Sequence, residues 1–262
     1  MDTSQQRERD SQVPVDHEAI AAALVQAWRQ RTFVAAPSVA EANFSKADAL
    51  AIAEHVRLLR IAAGATPIGY KVGFTNAAVR AQFNAEAPLA APVYDQTLAP
   101  EPRVDAGPLL GPRIEPEVVV GLGIDGEIVW AALGFEIVQS HVAEWQFGYL
   151  DAIADFGLHA ALVIGERRPI GVAEAGWLQT MPVRLLRNGE IVETGAASDV
   201  EGGAHGSLRW LRDDLRRVGR ELRPGEIVST GSMTRVPSIA SGERWTIEAL
   251  RGELPALTIH ID

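Results

Sequence analysis

From Arg113 to Val138 the chain reads RIEPEVVVGLGIDGEIVWAALGFEIV, two long apolar runs joined by a short polar link. No other stretch limits the fold as strongly, because runs this rich in valine and isoleucine around a turn signal form paired strands. Asp125-Gly126 in the link predicts a two-residue hairpin. Side chains alternate along a strand, so Glu115 and Glu117 share one face while Pro116 and Val118 share the other. Pro116 itself pushes Glu115 into an extended conformation. Glu136, between Phe135 and Ile137, lies in the second run. Pairing the runs brings three carboxylates toward one end of the sheet. Two carboxylates ~5 Å apart repel by roughly 3 kcal/mol at an effective dielectric of about 20. Two arrangements relieve this. A hard divalent ion is bound through carboxylate oxygens and keeps positions open for substrate, or Arg113, on the same face, pairs with the acids at a solvated surface.

The 262 residues suffice for one large domain or two small ones. A net charge of −10 argues against a nucleic-acid or anionic-membrane binder. Absence of cysteine excludes disulfides, thiolate metal sites and thiol nucleophiles. No apolar stretch approaches the ~20 residues that span a bilayer. The polar start, MDTSQQRERDSQVPVD, reads as a disordered leader over residues 1–16 of a cytoplasmic protein.

Two helices follow. One runs from about His17 to Gln30 behind Asp16 as N-cap; the other starts at Ser45, with Asp48 three residues on, and stops near Gly64. IGYKVGF, residues 68–74, then alternates as a strand with Gly69, Lys71 and Gly73 on one face. Lys71 there has either room for a ligand to approach or only solvent around it. Asp95, in a proline-rich passage, is a site candidate or an ordinary turn residue. Gly121, Gly123 and Gly126 spell GxGxxG, but a β-like run follows in place of the helix a dinucleotide needs. Residues 144–156 read as a helix, with His141 and Glu144 as its solvated residues. GLHAALVIG reads as a buried strand with His159 near its start, a rim histidine or a site residue. Asn188-Gly189 marks a hairpin. Residues 207–222 form an amphipathic helix whose stripe is Leu208, Leu211, Leu215, Val218 and Leu222, ended by Pro224-Gly225. Thr230-Gly231-Ser232 offers hydroxyls and a backbone N–H to a carboxylate, or is a glycine bulge. No HExxH, GxxxxGK[ST], GxSxG or SxxK occurs.

Taken in order, GYKVGFT, EPEVVVGL, GFEIVQSHVAEW, ADFGLHAALVIG and PGEIVSTGSMT resemble the fumarylacetoacetase superfamily, in its branch of 2-keto-4-pentenoate hydratases and 4-oxalocrotonate decarboxylases. The likeness covers nearly all of the chain after residue 17. It implies an α+β fold, with a small N-terminal helical region (17–66) and a mixed, rolled β-sheet catalytic domain (67–262). It implies Mg²⁺ or Mn²⁺ held by Glu115, Glu117 and Glu136, with Lys71 as acid/base. Thr230, Gly231 and Ser232 would lie near the substrate carboxylate, and Asp95 would match an aspartate that matters in relatives. Where such hydratases carry serines after an ADN-like turn, this chain has Leu158 and His159; His159 becomes the candidate to orient or activate water. The implied activity is a hydratase, a carbon–oxygen lyase acting on a 2-hydroxy-2,4-dienoate in aromatic catabolism. A 2-oxo acid decarboxylase, an acylpyruvate hydrolase and a non-catalytic partner subunit are the alternatives. A homo-oligomer is implied, with a related decarboxylase as a further partner.

Overall fold

The N-terminal helices begin where their capping residues place them. The computed structural model describes residues 14–171 and 175–262, so the leader expected over 1–16 lies outside the described residues up to residue 13. Asp16 caps the first helix, α1 (His17–Gln30), accepting from Ala19 N at 3.0 Å. After a single turn, α2 (Pro37–Ala40), comes α3 (Lys46–Ala62), opened by a capping box between Ser45 and Asp48. The side chains of Leu24, Val25, Ile52 and Val56 pack between α1 and α3, joined by Ala154 and Phe156 from the β region.

The rest of the chain is β1 (Pro67–Gly73), α4 (Ala77–Gln82), β2 (Leu89–Tyr94), β3 (Arg103–Val104), β4 (Arg113–Leu122), β5 (Ile128–Val138), α5 (Tyr149–Ala154), β6 (His159–Ile164) and β7 (Arg168–Pro169). Then come β8 (Pro182–Arg187), β9 (Glu190–Ala196), α6 (Gly203–Arg217), β10 (Ile227–Ser232), β11 (Arg244–Ala249) and β12 (Leu257–Ile261). Seven strands form a mixed, curled sheet in the order β2-β1-β10-β4-β5-β6, with β7 paired to β5. Among the described residues its one parallel strand pair joins β1 to β10, Lys71 opposite Ser229. The remaining five strands form a second sheet, β3-β12-β11-β8-β9. The main core lies between the sheets, where Val118, Val120, Leu133 and Phe135 meet Val183, Leu185, Trp245 and Ile259, with Leu208, Leu211 and Leu215 of α6 alongside. The opposite face of the curled sheet carries a smaller apolar cluster, Val93, Val119, Leu162 and Ile227. The glutamates stand beside it on that inner face.

The expected β4–β5 hairpin is present, with Glu115 opposite Glu136 and Leu122 opposite Ile128. Its link is longer than the two residues predicted. Gly123 N donates to Glu127 O at 2.8 Å, and of the linking residues only Gly126 has positive φ (75°). A two-residue type I′ turn needs positive φ at both central positions, so the chain takes a longer link instead. GxGxxG here joins two strands and opens no helix.

Two helices are shorter than the pattern predicts. The one expected over 144–156 is regular only at Tyr149–Ala154, because Glu144 and Trp145 have positive φ and Gly148 precedes the new start. The last helix begins four residues early, at Gly203, and ends at Arg217, where Gly219 (φ 69°) turns the chain. Val218 therefore leaves the stripe and is exposed. No helix among the described residues is long and apolar enough to cross a membrane.

Candidate metal centre and active site

Period-two alternation on β4 puts Glu115 and Glu117 side by side, and antiparallel pairing brings Glu136 of β5 opposite Glu115. One oxygen from each of the three carboxylates lies within 4.8 Å of the others. Glu117 and Glu136 are fully buried and Glu115 is half-buried. Ser229 Oγ and Gly231 N (2.9 Å) both donate to Glu117 Oε2. Glu136 Oε1 receives Lys71 Nζ at 3.2 Å and His159 Nδ1 at 2.8 Å. Among the described residues one oxygen of each has no hydrogen-bond partner, Glu117 Oε1 and Glu136 Oε2. Buried carboxylate oxygens left unpaired are costly. All-oxygen donors with unspent lone pairs suit a hard divalent cation such as Mg²⁺ or Mn²⁺. Arg113 does not neutralise the cluster. Its guanidinium lies 4.1 Å from the Trp145 ring centre, and among the described residues it makes no ion pair with these acids.

Lys71 enters from β1, two strands away, on the same face. Nζ donates to Gly157 O at 3.0 Å. Position 73 lacks a side chain, and a Cβ there would sit 3.2 Å from Nζ. Burial works to lower the lysine pKa, but Glu136, Glu115 and Glu117 outweigh it and hold the ammonium above its ordinary value. Burial pushes Glu115 up to about 7, against the pull of Lys71 and with help from Glu136. Burial, then Glu136 and Glu115, also raise Glu117 well above the usual carboxylate range. Glu136 moves the other way; burial opposes this, yet Lys71 and His159 keep it below its ordinary value.

These shifts set a pH dependence. Raised carboxylates favour the folded state most below their unfolded pKa, and that contribution is lost as pH rises through about 7. A divalent ion binds the deprotonated acids and so displaces protons, with affinity rising about tenfold per pH unit for each one displaced. The gain in melting temperature from millimolar Mg²⁺ over EDTA is therefore expected to be larger at about pH 8 than at about pH 6. A gain unaffected by pH in a scanning fluorimetry series would rule this out.

His159 is buried, but not as expected of a group that handles water. Nδ1 faces Glu136, and Nε2 lies 2.9 Å from Thr97 Oγ1, so both ring nitrogens are engaged within the protein. In this arrangement His159 holds Glu136 through Nδ1. Asp95 is not brought to the cluster. It is exposed and accepts from Thr66 N (2.9 Å) and Gln96 N (2.8 Å), the ordinary work of a turn aspartate. Thr230 and Ser232 spend their hydroxyls on Val118 O and Thr234 O, and the Gly231 N–H serves Glu117. The donors expected for a substrate carboxylate are thus directed to the protein's own acceptors.

Several contributors escaped the sequence reading. Ser229 shares the site face with Gly231, and a lone serine beside Val228 in a buried strand was the available signal. Thr97 and the Gly157 carbonyl gave none. His141, expected in solvent, is buried and pairs with Asp155 at 2.6 Å. Asp155 leads into Phe156, Gly157 and Leu158, all with positive φ (55°, 61° and 65°). Such backbone is strained for non-glycine residues, and it turns the Gly157 carbonyl onto Lys71. A Cβ at 157 would lie 2.6 Å from the Ala91 Cβ. Gly157→Ala is expected to lower stability by about 2 kcal/mol or more, read as an urea-midpoint shift, and to cut turnover through Lys71. Wild-type stability in that variant would show that the turn tolerates a side chain.

The fold is that of the fumarylacetoacetate hydrolase family. No family model matches the chain, but solved structures do. A 4-oxalocrotonate decarboxylase from Pseudomonas putida G7, complexed with magnesium and adipate, superposes with a TM-score of 0.89 at 23% identity, over 96% of this chain and 100% of that one. A fumarylpyruvate hydrolase from Pseudomonas aeruginosa, in complex with Mn²⁺ and pyruvate, gives a TM-score of 0.55 at 18% identity, over 73% and 88%. In sequence the chain is homologous to 2-keto-4-pentenoate hydratases and 4-oxalocrotonate decarboxylases. It is 28% identical over 200 residues to 2-keto-4-pentenoate hydratase 1 of Dechloromonas aromatica (strain RCB), which covers 71% of this chain and 75% of that one. It is 28% identical over 214 residues to a 4-oxalocrotonate decarboxylase of Pseudomonas putida, covering 77% and 80%.

Proposed function

We propose that this chain is a divalent-metal-dependent hydratase, a carbon–oxygen lyase adding water to a 2-hydroxy-2,4-dienoate of the 2-keto-4-pentenoate type in aromatic-compound breakdown. The observation that carries the reading is the three-glutamate cluster, two of its acids fully buried, with two unpartnered oxygens and a lysine 3.2 Å from one of its acids. Homology to hydratases supports the substrate class. In this reading Glu115, Glu117 and Glu136 hold Mg²⁺ or Mn²⁺. The ion supplies Lewis acidity for negative charge that develops on the 2-oxo oxygen of the substrate.

The remaining roles fall to the chain. Lys71 keeps a proton at Nζ, aimed by the Gly157 carbonyl, and exchanges it with substrate carbon during ketonisation of the dienol. His159 fixes the rotamer of Glu136, while Ser229 and the Gly231 N–H fix that of Glu117. The apolar cluster of Val93, Val119, Leu162 and Ile227 beside the acids keeps the inner face dry, which strengthens every charge interaction there. Residues 67–262 form the catalytic domain and 17–66 a helical region packed on it. The enzyme works as a homo-oligomer in the cytoplasm.

The second reading is a decarboxylase, favoured by the TM-score of 0.89 to the Pseudomonas putida G7 enzyme. Both reactions pass through the same enolate. Loss of diene absorbance from 2-hydroxypenta-2,4-dienoate with Mg²⁺, expected here and abolished by EDTA, is set against CO₂ release from 4-oxalocrotonate. Consumption of neither substrate by the isolated protein would defeat both readings and leave a partner-subunit role.

A further inference from the structure

Arg60, on α3, is only 5% exposed. Its guanidinium carbon lies 4.2 Å from the ring centre of Trp28, 4.4 Å from Tyr94 and 5.6 Å from Phe156. The ring faces attract the cation. They do not accept hydrogen bonds from the N–H groups in the guanidinium plane. Nη2 is wholly buried with no hydrogen-bond partner, and among the described residues no carboxylate pairs with the group. Asp95, the neighbouring acid, is turned to backbone N–H groups. An arginine does not shed its proton to escape burial, and a buried charge without a partner is unfavourable.

Arg60 also lines a cavity of about 30 Å³, walled in part by Val56, Tyr94, Phe156 and His159. That exceeds the roughly 10–15 Å³ a single water requires. The His159 imidazole that forms one wall is the one that holds Glu136 on its other side. An uncompensated planar cation, apolar walls and a space one imidazole away from the acid cluster occur together.

We infer that this cavity is a carboxylate site in which Arg60 is the receptor. The guanidinium fork matches a carboxylate bidentately. The carboxylate comes either from the far end of a diacid substrate whose 2-oxo acid end lies at the glutamates, or from a free small acid. The first source rests on the decarboxylase reading above, whose substrate carries two carboxylates; the second does not.

The test uses the whole protein and three probes. Acetate is titrated without metal, with the melting temperature as readout. With Mg²⁺ present, calorimetry compares 2-oxoadipate with 2-oxohexanoate, which differ in the far carboxylate. A substrate-borne source predicts that the diacid binds about tenfold or more tighter, as a charge-assisted hydrogen-bonded pair would give. Arg60→Gln then removes the difference while leaving 2-oxohexanoate affinity within about twofold. A free-acid source predicts stabilisation by acetate that Arg60→Gln abolishes, with no preference for the diacid. If wild type shows neither effect the site is overturned, and this outcome needs no variant to fold. A diacid preference that survives in folded Arg60→Gln overturns it as well. Acetate binding with no binding of either 2-oxo acid would sink the proposed function and leave the site standing.

Discussion

Glu117→Gln is expected to lower magnesium-dependent turnover of 2-hydroxypenta-2,4-dienoate by on the order of 10³-fold, the rate equivalent of losing about 4 kcal/mol of transition-state stabilisation. The folded state is expected to stay as stable as wild type or to gain. The amide oxygen can still accept from Ser229 and the Gly231 N–H, while the amide nitrogen replaces the oxygen that has no partner. The substitution also removes a charge that burial and two neighbouring glutamates disfavour. A steady-state assay and a thermal melt on one preparation check both halves. Collapse of the fold would mean that Glu117 is chiefly a structural acceptor, and retained turnover would remove it from the metal's ligands.

Lys71→Met moves stability the other way. Nζ lies 3.2 Å from Glu136 and balances three acids. Breaking a buried pair by removing one partner costs about 3–5 kcal/mol, so the ion-free variant is expected to melt well below wild type. Millimolar Mg²⁺ should recover much of that loss, because the ion then meets more negative charge. Turnover is nonetheless expected to fall by about 10²–10⁴-fold, the range for loss of a positioned proton-transfer group. A variant that binds Mg²⁺ yet turns over at wild-type rate would assign the proton transfer elsewhere. Together the two substitutions separate charge balance from chemistry: one relieves repulsion and the other deepens it, while both lower the rate.

Much of this was legible because strands report themselves at period two. That rule alone places Glu115 beside Glu117 and, through pairing of two long runs, Glu136 opposite. Capping chemistry likewise located both N-terminal helices through Asp16 and Ser45. The misses share a cause. Thr97, Asp155 and the Gly157 carbonyl sit in turns whose backbone conformations, including left-handed leucine and phenylalanine, follow from tertiary packing rather than local preference. Val218 was placed on the stripe because the helical period runs on past Arg217, where the helix stops with Val218 as its C-cap and Gly219 turns the chain. Asp95 and His159 carried chemistry-bearing side chains whose partners, a backbone N–H and a second-row threonine, come from elsewhere in the chain.

The pairing of β1 with β10 has a consequence for how such an activity can be inherited. Lys71 and Ser229 stand opposite one another in a parallel step of the seven-stranded sheet, drawn from far-separated parts of the chain. A proteolytic fragment or a grafted segment from the middle of the sequence would carry the acids without the lysine or the serine. Any cut of the chain between residues 73 and 227 therefore parts Lys71 from Ser229, and the site is whole only when both ends of the chain come together.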